Sequence, residues 1–341
     1  MVQLTRASQE LYRRSPDECF STLEELWQHT RQEREFSQDR WHLPQVLAPR
    51  VNGGQVTVTL DDQGPHLLNH WSFAQLCRLA AVNIETLNRL SPETASLALQ
   101  ETLPSAEKPI QLLTTGKMVR SLHGVVYTRL WNVDLLDVIR EFATDFEPPQ
   151  AGLNGATGLY CGEEDLFAFM IDPTGWTEIG GEAFAPGFFV WNSEVGCRSL
   201  GIQTFWFQAV CRNHVVWDAV EVVDYTRKHT AKVGNGLTEI RRIIEMLVEK
   251  RDERRDGFVR VLTRAMSQTL GADAESATKE LLKNGIPRNL AHDAIEIARQ
   301  QGRFTIFSLV DALTRLTQKV KYIGDRTDAD AKVAALLALA A

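Results

Sequence analysis

The sequence predicts an α+β protein, in which an antiparallel curved sheet with packed helices is followed by a helical C-terminal unit. Short apolar runs separated by turn residues between 51 and 233 predict the strands, and helical periodicity before and after that region predicts the helices. We therefore divide the chain into an N-terminal helical segment (1–50), an α+β core domain (51–233) and a helical C-terminal region (234–341).

In the first half of the chain, turn residues and apolar spacing predict each element. An amphipathic pattern predicts a helix within the first 40 residues, and alternation at 56–60 predicts a strand. Ser72 is the expected N-cap of a helix that ends before Pro92. Apolar runs at 110–113 and 125–131 predict a hairpin, and Asn132 is expected to cap the helix that follows.

An aromatic-rich β block is expected from 159 to 230. Its last apolar run, 200–217, is too long for one strand and should bend, and the first half of that run is apolar on both faces, which predicts cover on both sides. A 3.6-residue period between 237 and 270 predicts one long helix or two. Three shorter helices are expected near 277–283, 289–300 and 306–319.

Composition limits the class of protein. The 341 residues are 44% apolar and 24% charged, as in ordinary globular proteins. The five cysteines have no C-x-x-C spacing, so we expect no disulfide framework and a cytoplasmic location. The charged first 40 residues do not resemble a signal peptide, and no apolar run reaches the roughly 20 residues of a transmembrane helix, so no membrane partner is expected.

Polar residues follow the predicted strand at 188–191, and further polar residues occur near the end of the 200–217 run. Asn192, Ser193 and Glu194 form the first group, and Arg212 and His214 belong to the second. The two groups either form a site or satisfy buried backbone groups. A hydrolase using Glu194 and His214 is a further interpretation, but Ser193 does not lie in a G-x-S-x-G elbow, and we assign no catalytic residue.

Metal and nucleotide motifs are weak. His66 and His70 have the spacing of a helical zinc pair but lack the Glu of H-E-x-x-H and a third ligand, so we predict no metal. The glycines at 152–158 do not match G-x-G-x-x-G, and 114–117 is not a P-loop. We therefore expect no cofactor.

The strongest local excess of positive charge lies between 227 and 264. This region contains eleven basic and six acidic residues, in a protein of net charge −7. Interleaved acids also fit an ion-paired, solvated helix face. The basic segment 227–232 precedes a predicted helix and glycines at 234 and 236, an arrangement suited to phosphate contact. The predicted nucleic-acid-binding residues are Arg120, Arg129, Trp191, Asn192, Arg212, His214, Arg227, Lys228, His229 and Lys232.

Four short segments resemble a phage/plasmid-like family catalogued as domain of unknown function 932. They are LWNVDLL at 130–136, FVWNSEVG at 189–196, CRNH at 211–214 and RKHT at 227–230. The resemblance covers about 41–230 and implies a mobile-element setting without supplying an active site. The order of strand, hairpin and helix along the chain is also similar to the β-β-β-α cores of single-strand annealing proteins, which is an analogy of fold.

These observations predict a non-enzymatic DNA-binding protein of phage or plasmid origin that prefers single strands and acts in recombination or replication. The annealing analogy adds a homo-oligomer as an expectation. The alternative is a protein without nucleic-acid activity that binds a host protein through its helical tail.

Overall fold

The computed structural model describes residues 16–60, 64–149, 157–208, 215–216, 223–300, 302, 304–317 and 336–340. The helices are α1 Leu23–Phe36, α2 His70–Leu79, α3 Ile84–Leu87, α4 Pro92–Thr102, α5 Asn132–Phe142, α6 Asn235–Glu249, α7 Arg251–Ser267, α8 Ala274–Lys283, α9 Arg288–Gln300 and α10 Ile306–Thr317. The strands are β1 Ser37–His42, β2 Ala48–Asn52, β3 Gln55–Thr59, β4 Pro65–Leu68, β5 Ile110–Thr115, β6 Met118–Gly124, β7 Leu159–Cys161, β8 Leu166–Ile171, β9 Thr177–Ile179, β10 Glu182–Asn192, β11 Leu200–Gln208, β12 Val215–Val216 and β13 Asp224–Arg227.

The first sheet, sheet I, has the strand order β1-β5-β6-β4-β3-β2. Its strands pair antiparallel except for β4 and β6, which are parallel. Helices α2 to α4 cover one face, where Leu76, Leu87 and Leu99 pack against Val58 and Leu112. This helical layer gives sheet I an apolar core of its own.

The second sheet, sheet II, has the order β12-β11-β10-β8-β7, with β9 added to β10 and β13 added to β11. Every residue of β8 is buried, because helices cover both faces of the sheet. Leu166, Ala168 and Met170 point to a core shared with α1, α5 and α6, and the residues between them point to a core shared with α7 to α10. The uninterrupted apolar sequence of β8 follows from this double cover.

The predicted α+β class is confirmed, and the structure corrects several elements. There are two mostly antiparallel sheets where one was expected. The hairpin closes at Gly116, whose φ is +55°, so its second strand is β6 and 125–131 is a connection. Strands β1 and β2 lie at least partly in the segment expected to be helical, 1–50.

The long helical pattern of 237–270 contains two helices, which meet at Lys250. Because α6 and α7 pack on opposite faces of sheet II, the C-terminal helices share their cores with the strands. The expected double cover of the 200–217 run is confirmed from 200 to 206, where every residue is buried. None of the helices in the described part of the chain is long and apolar enough to cross a membrane.

Candidate functional site: a buried polar cluster and a basic segment

Glu194 lies at the centre of a buried polar cluster between the two sheets. It lies two residues after the end of β10 and is almost completely buried. One carboxylate oxygen accepts a hydrogen bond of 2.8 Å from the backbone N–H of Asn132, the first residue of α5. The N-cap residue of that helix, Trp131, makes no side-chain capping bond. Glu194 therefore supplies the negative charge that the N-terminus of α5 favours, from a distant part of the chain.

Arg120 on β6 neutralises the other oxygen of Glu194. The guanidinium Nη1 lies 3.3 Å from Glu194 Oε2 and 3.7 Å from Glu33 Oε1 on α1. Burial raises the pKa of Glu194, and the positive charge of Arg120 opposes that rise. The sequence predicted that Arg120 binds nucleic acid. In the structure its guanidinium is buried and pairs with Glu194, so it is not at the surface where a phosphate could reach it.

Arg129 is also turned inward. Its Nη2 lies 2.7 Å from Asp39 Oδ1 on β1, and its Nη1 donates to the backbone carbonyl of Glu194. The hydroxyl of Tyr127 donates to the same carbonyl at 2.8 Å. The predicted phosphate contact of Arg129 is therefore replaced by a link between sheet I and the turn after β10.

Trp191 and Asn192 complete the cluster from β10. Asn192 is fully buried, and its amide donates to Leu130 O at 3.0 Å and to Asn132 Oδ1 at 2.8 Å. The indole of Trp191 lies against the backbone of Gly201 on β11, where no Cβ could fit. Neither side chain is exposed for the base contacts that the sequence predicted.

His229 anchors the basic segment to this cluster. Its carbonyl accepts a hydrogen bond from the N–H of Thr128 at 3.1 Å. Its ring stacks on Tyr127 with centroids 5.5 Å apart, and Tyr127 stacks on His123 at 3.7 Å. Burial lowers the pKa of both histidines to about 4, so both rings are neutral at pH 7. His229 therefore positions its neighbours and carries no charge to a phosphate.

Three of the predicted residues remain at the surface around His229. Lys228 and Lys232 are exposed and Arg227 is half-buried. Within the part of the chain that the structure describes, no acidic group forms an ion pair with any of the three. We call Arg227, Lys228 and Lys232 the basic segment from here on.

Several other cations of the 227–264 region are paired, as the alternative interpretation expected. Arg241 lies 3.1 Å from Glu245, and Arg242 lies 2.6 Å from Glu239. The backbone N–H groups of 235, 236 and 237 donate to the carbonyls of 232, 233 and 234, so the start of α6 offers few open donors. An anion at this end of α6 would depend on side chains.

The remaining sequence predictions have mixed outcomes. Arg212 and His214 lie outside the described residues. The hydroxyl of Ser193 is buried and donates to Glu164 O. His66 is buried on β4 whereas His70 begins α2, so the two do not share a helical face. A cleft of about 330 Å³ is partly lined by His70, and none of the ten predicted nucleic-acid-binding residues lines it.

Tyr127, Asp39 and Glu33 belong to the cluster, but sequence reasoning missed them. No strong sequence pattern indicates these three residues, since each is an ordinary polar residue in a loop, an edge strand or a helix. No family model, curated protein or solved structure matches the chain. The resemblance to the phage/plasmid-like family therefore stays a prediction.

Proposed function

We propose that the protein binds DNA through the basic segment, in recombination or replication and without catalysing a reaction. The observation that supports this proposal is the group of surface cations Arg227, Lys228 and Lys232, which have no described acidic partner in a protein of net charge −7. Unpaired cations attract phosphates and release counterions when they bind. Paired cations, such as Arg242 with Glu239, have much less to gain from a phosphate.

The anchoring of the segment supports a defined binding surface. His229 is held between the cations by its backbone bond to Thr128 and by its stack on Tyr127. Tyr127 and Arg129 are in turn bonded to the carbonyl of Glu194. Because the segment is attached to a buried network, its cations lose less conformational freedom on binding than cations on a free loop would.

Neighbouring apolar surface supports a preference for single strands. Val125 and Val126 are 48% and 77% exposed and precede Thr128, whose N–H bonds to His229. Unpaired bases offer apolar faces to such a surface, whereas a duplex buries those faces in its stack. The ring of Trp191 is not available to stack on a base, since it is buried in the core of sheet II.

Charge reversal tests the location of the site. In Lys228→Glu/Lys232→Glu we expect the affinity for a labelled single-stranded oligonucleotide, measured by fluorescence anisotropy at low salt, to fall about tenfold or more. Lys279→Glu/Lys283→Glu is the matched control, because both lysines are exposed on α8 and already face Glu275 and Glu280. Equal losses of affinity in the two double variants would show that the change in net charge alone explains the loss. That result would contradict the proposed site.

A protein partner is the second candidate function. Strand β1 is an edge of sheet I, and the chain around it exposes Phe36, Trp41 and Val46. Exposed apolar residues beside an unpaired strand edge favour pairing with another chain. This surface replaces the helical tail as the best docking site, since α7 to α10 bury their apolar faces in the core that they share with sheet II.

A further inference from the structure

Three side chains with metal-binding atoms converge beside the buried cluster. His29 and Glu33 lie one turn apart on α1, and Cys161 ends β7. Their ligand atoms all lie within 4.8 Å of one another, and His29 Nε2 is 3.7 Å from Glu33 Oε2. That separation is too long for a hydrogen bond, so the imidazole and the carboxylate face each other without bonding.

The two oxygens of Glu33 have different surroundings. Oε1 lies 3.7 Å from the guanidinium of Arg120. Oε2 is buried and accepts no hydrogen bond. A buried carboxylate oxygen without a donor is costly, and a cation between it and His29 would remove that cost.

Cys161 offers the third atom. The side chain is buried, and its sulfur has only long contacts, 3.8 Å to Asn132 Nδ2 and 3.9 Å to the carbonyl of Gly162. Burial raises the pKa of this thiol well above its usual value, and the carboxylates of Glu33 and Glu194 add to the rise. A bound divalent cation would reverse this balance and hold the sulfur as a thiolate.

We infer that His29, Glu33 and Cys161 form a zinc site, with imidazole nitrogen, carboxylate Oε2 and thiolate sulfur as ligands and water in the fourth position. One nitrogen, one oxygen and one sulfur donor match the preference of Zn²⁺ over the harder Mg²⁺ and Ca²⁺. At zinc–ligand distances of about 2.0–2.3 Å, tetrahedral ligands lie about 3.3–3.7 Å apart. Because the three atoms lie within 4.8 Å of one another, the widest separation needs to close by about 1.5 Å at most. The thiol proton leaves to solvent when the metal binds.

The site would join α1 to β7 next to the Arg120–Glu194 pair. Helix α1 already packs on the core that contains β7, and Arg120 already contacts Glu33. A metal that binds the folded state and leaves the unfolded state unbound raises the midpoint of thermal unfolding. We therefore expect zinc to stabilise the protein without affecting the basic segment.

Metal titration tests this inference directly. Tag-free protein is treated with a chelator, dialysed, and titrated with Zn²⁺ by calorimetry and with Co²⁺ by absorbance, which reports thiolate ligation as a charge-transfer band. We expect one ion per chain, a rise in the unfolding midpoint with Zn²⁺, and a cobalt–thiolate band.

Variants separate this site from adventitious binding. His29→Ala should fold normally, since the side chain is 40% exposed, and it should weaken zinc binding at least tenfold; Cys161→Ser should abolish the cobalt–thiolate band. His292→Ala and Cys197→Ser are the controls, and both should bind as the unaltered protein does. No zinc uptake, or uptake unchanged in a folded His29→Ala variant, would overturn the inference.

Discussion

At the scale of single residues, Glu194 connects parts of the molecule that are far apart in the chain. Its carboxylate binds the start of α5 and Arg120 of β6, while its carbonyl accepts from Tyr127 and Arg129. A buried charge of this kind is tolerated only when partners and hydrogen bonds replace water. Loss of the Glu194 charge leaves Arg120 with Glu33 as its more distant acidic partner, at 3.7 Å.

Glu194→Gln should therefore destabilise the protein strongly. The substitution removes the charge that faces Arg120 at 3.3 Å while it keeps an oxygen for the N–H of Asn132. We expect the free energy of unfolding, measured in urea, to fall by about 3–5 kcal/mol. Glu245→Gln is the control, since Glu245 pairs with Arg241 at the surface, and its cost should be below about 1 kcal/mol. Similar decreases in the free energy of unfolding in both variants would contradict a larger contribution of the buried pair to stability.

At this scale the sequence indicated several polar residues of the cluster but not whether their side chains are buried or exposed. Asn192, Arg120 and Arg129 were expected at a surface, and all three are buried. A charged side chain is buried only where a partner meets it, and Asp39 lies 90 positions from Arg129. No local pattern encodes such a partner. The surface position of Lys228 and Lys232 needs no partner, and for these two the sequence sufficed.

At the scale of elements, α7 is part of the core of sheet II. Phe258 of α7 stacks on Trp206 of β11 with ring centroids 4.0 Å apart and planes 3° from parallel. The same ring meets Phe184 of β10 edge to face at 5.5 Å. Offset and edge-to-face aromatic pairs add to the area that the rings bury. Residues on both sides of position 233 therefore contribute to one core.

Phe258→Ala tests this shared core. The substitution leaves a cavity between α7 and sheet II, so we expect a loss of about 3–5 kcal/mol in a single cooperative unfolding transition. The near-ultraviolet circular dichroism of the protein, to which the stacked Trp206 contributes, should change in the same variant. Phe36→Ala, at a side chain that is 65% exposed, should leave the stability nearly unchanged. A separate early transition confined to the helices would contradict a shared core.

Element types were predictable from the helical or alternating period of the apolar residues, whereas caps and turns were placed less well. Helix α5 was expected because its apolar positions recur at helical spacing. The expected caps Ser72 and Asn132 were wrong, since they lie inside α2 and α5, whose N-cap residues are Asn69 and Trp131. The hairpin was misplaced because 125–131 is as apolar as a strand, and only the positive φ of Gly116 fixes the true turn. The register of β5 and β6 follows from that turn.

At the scale of the whole molecule, two sheets share a polar cluster and one surface segment extends from it. The α+β class was predictable, but the division into two sheets was not, because β4 pairs parallel with β6 and β13 pairs with β11 across long stretches of chain. Such pairings depend on tertiary packing, which a local pattern does not contain. In a protein of net charge −7, the basic segment places Lys228 and Lys232 at the surface beside the half-buried Arg227.

Salt dependence of DNA binding tests the central claim most directly. The anisotropy of labelled single-stranded and double-stranded oligonucleotides is measured with the full chain over a series of salt concentrations. Three phosphate contacts predict that the logarithm of the association constant for single strands falls against the logarithm of salt concentration with a slope of about −2. Single strands should bind more tightly than duplex at every salt concentration. Absence of binding at low salt, or binding that salt does not weaken, would contradict the proposal that Arg227, Lys228 and Lys232 bind DNA.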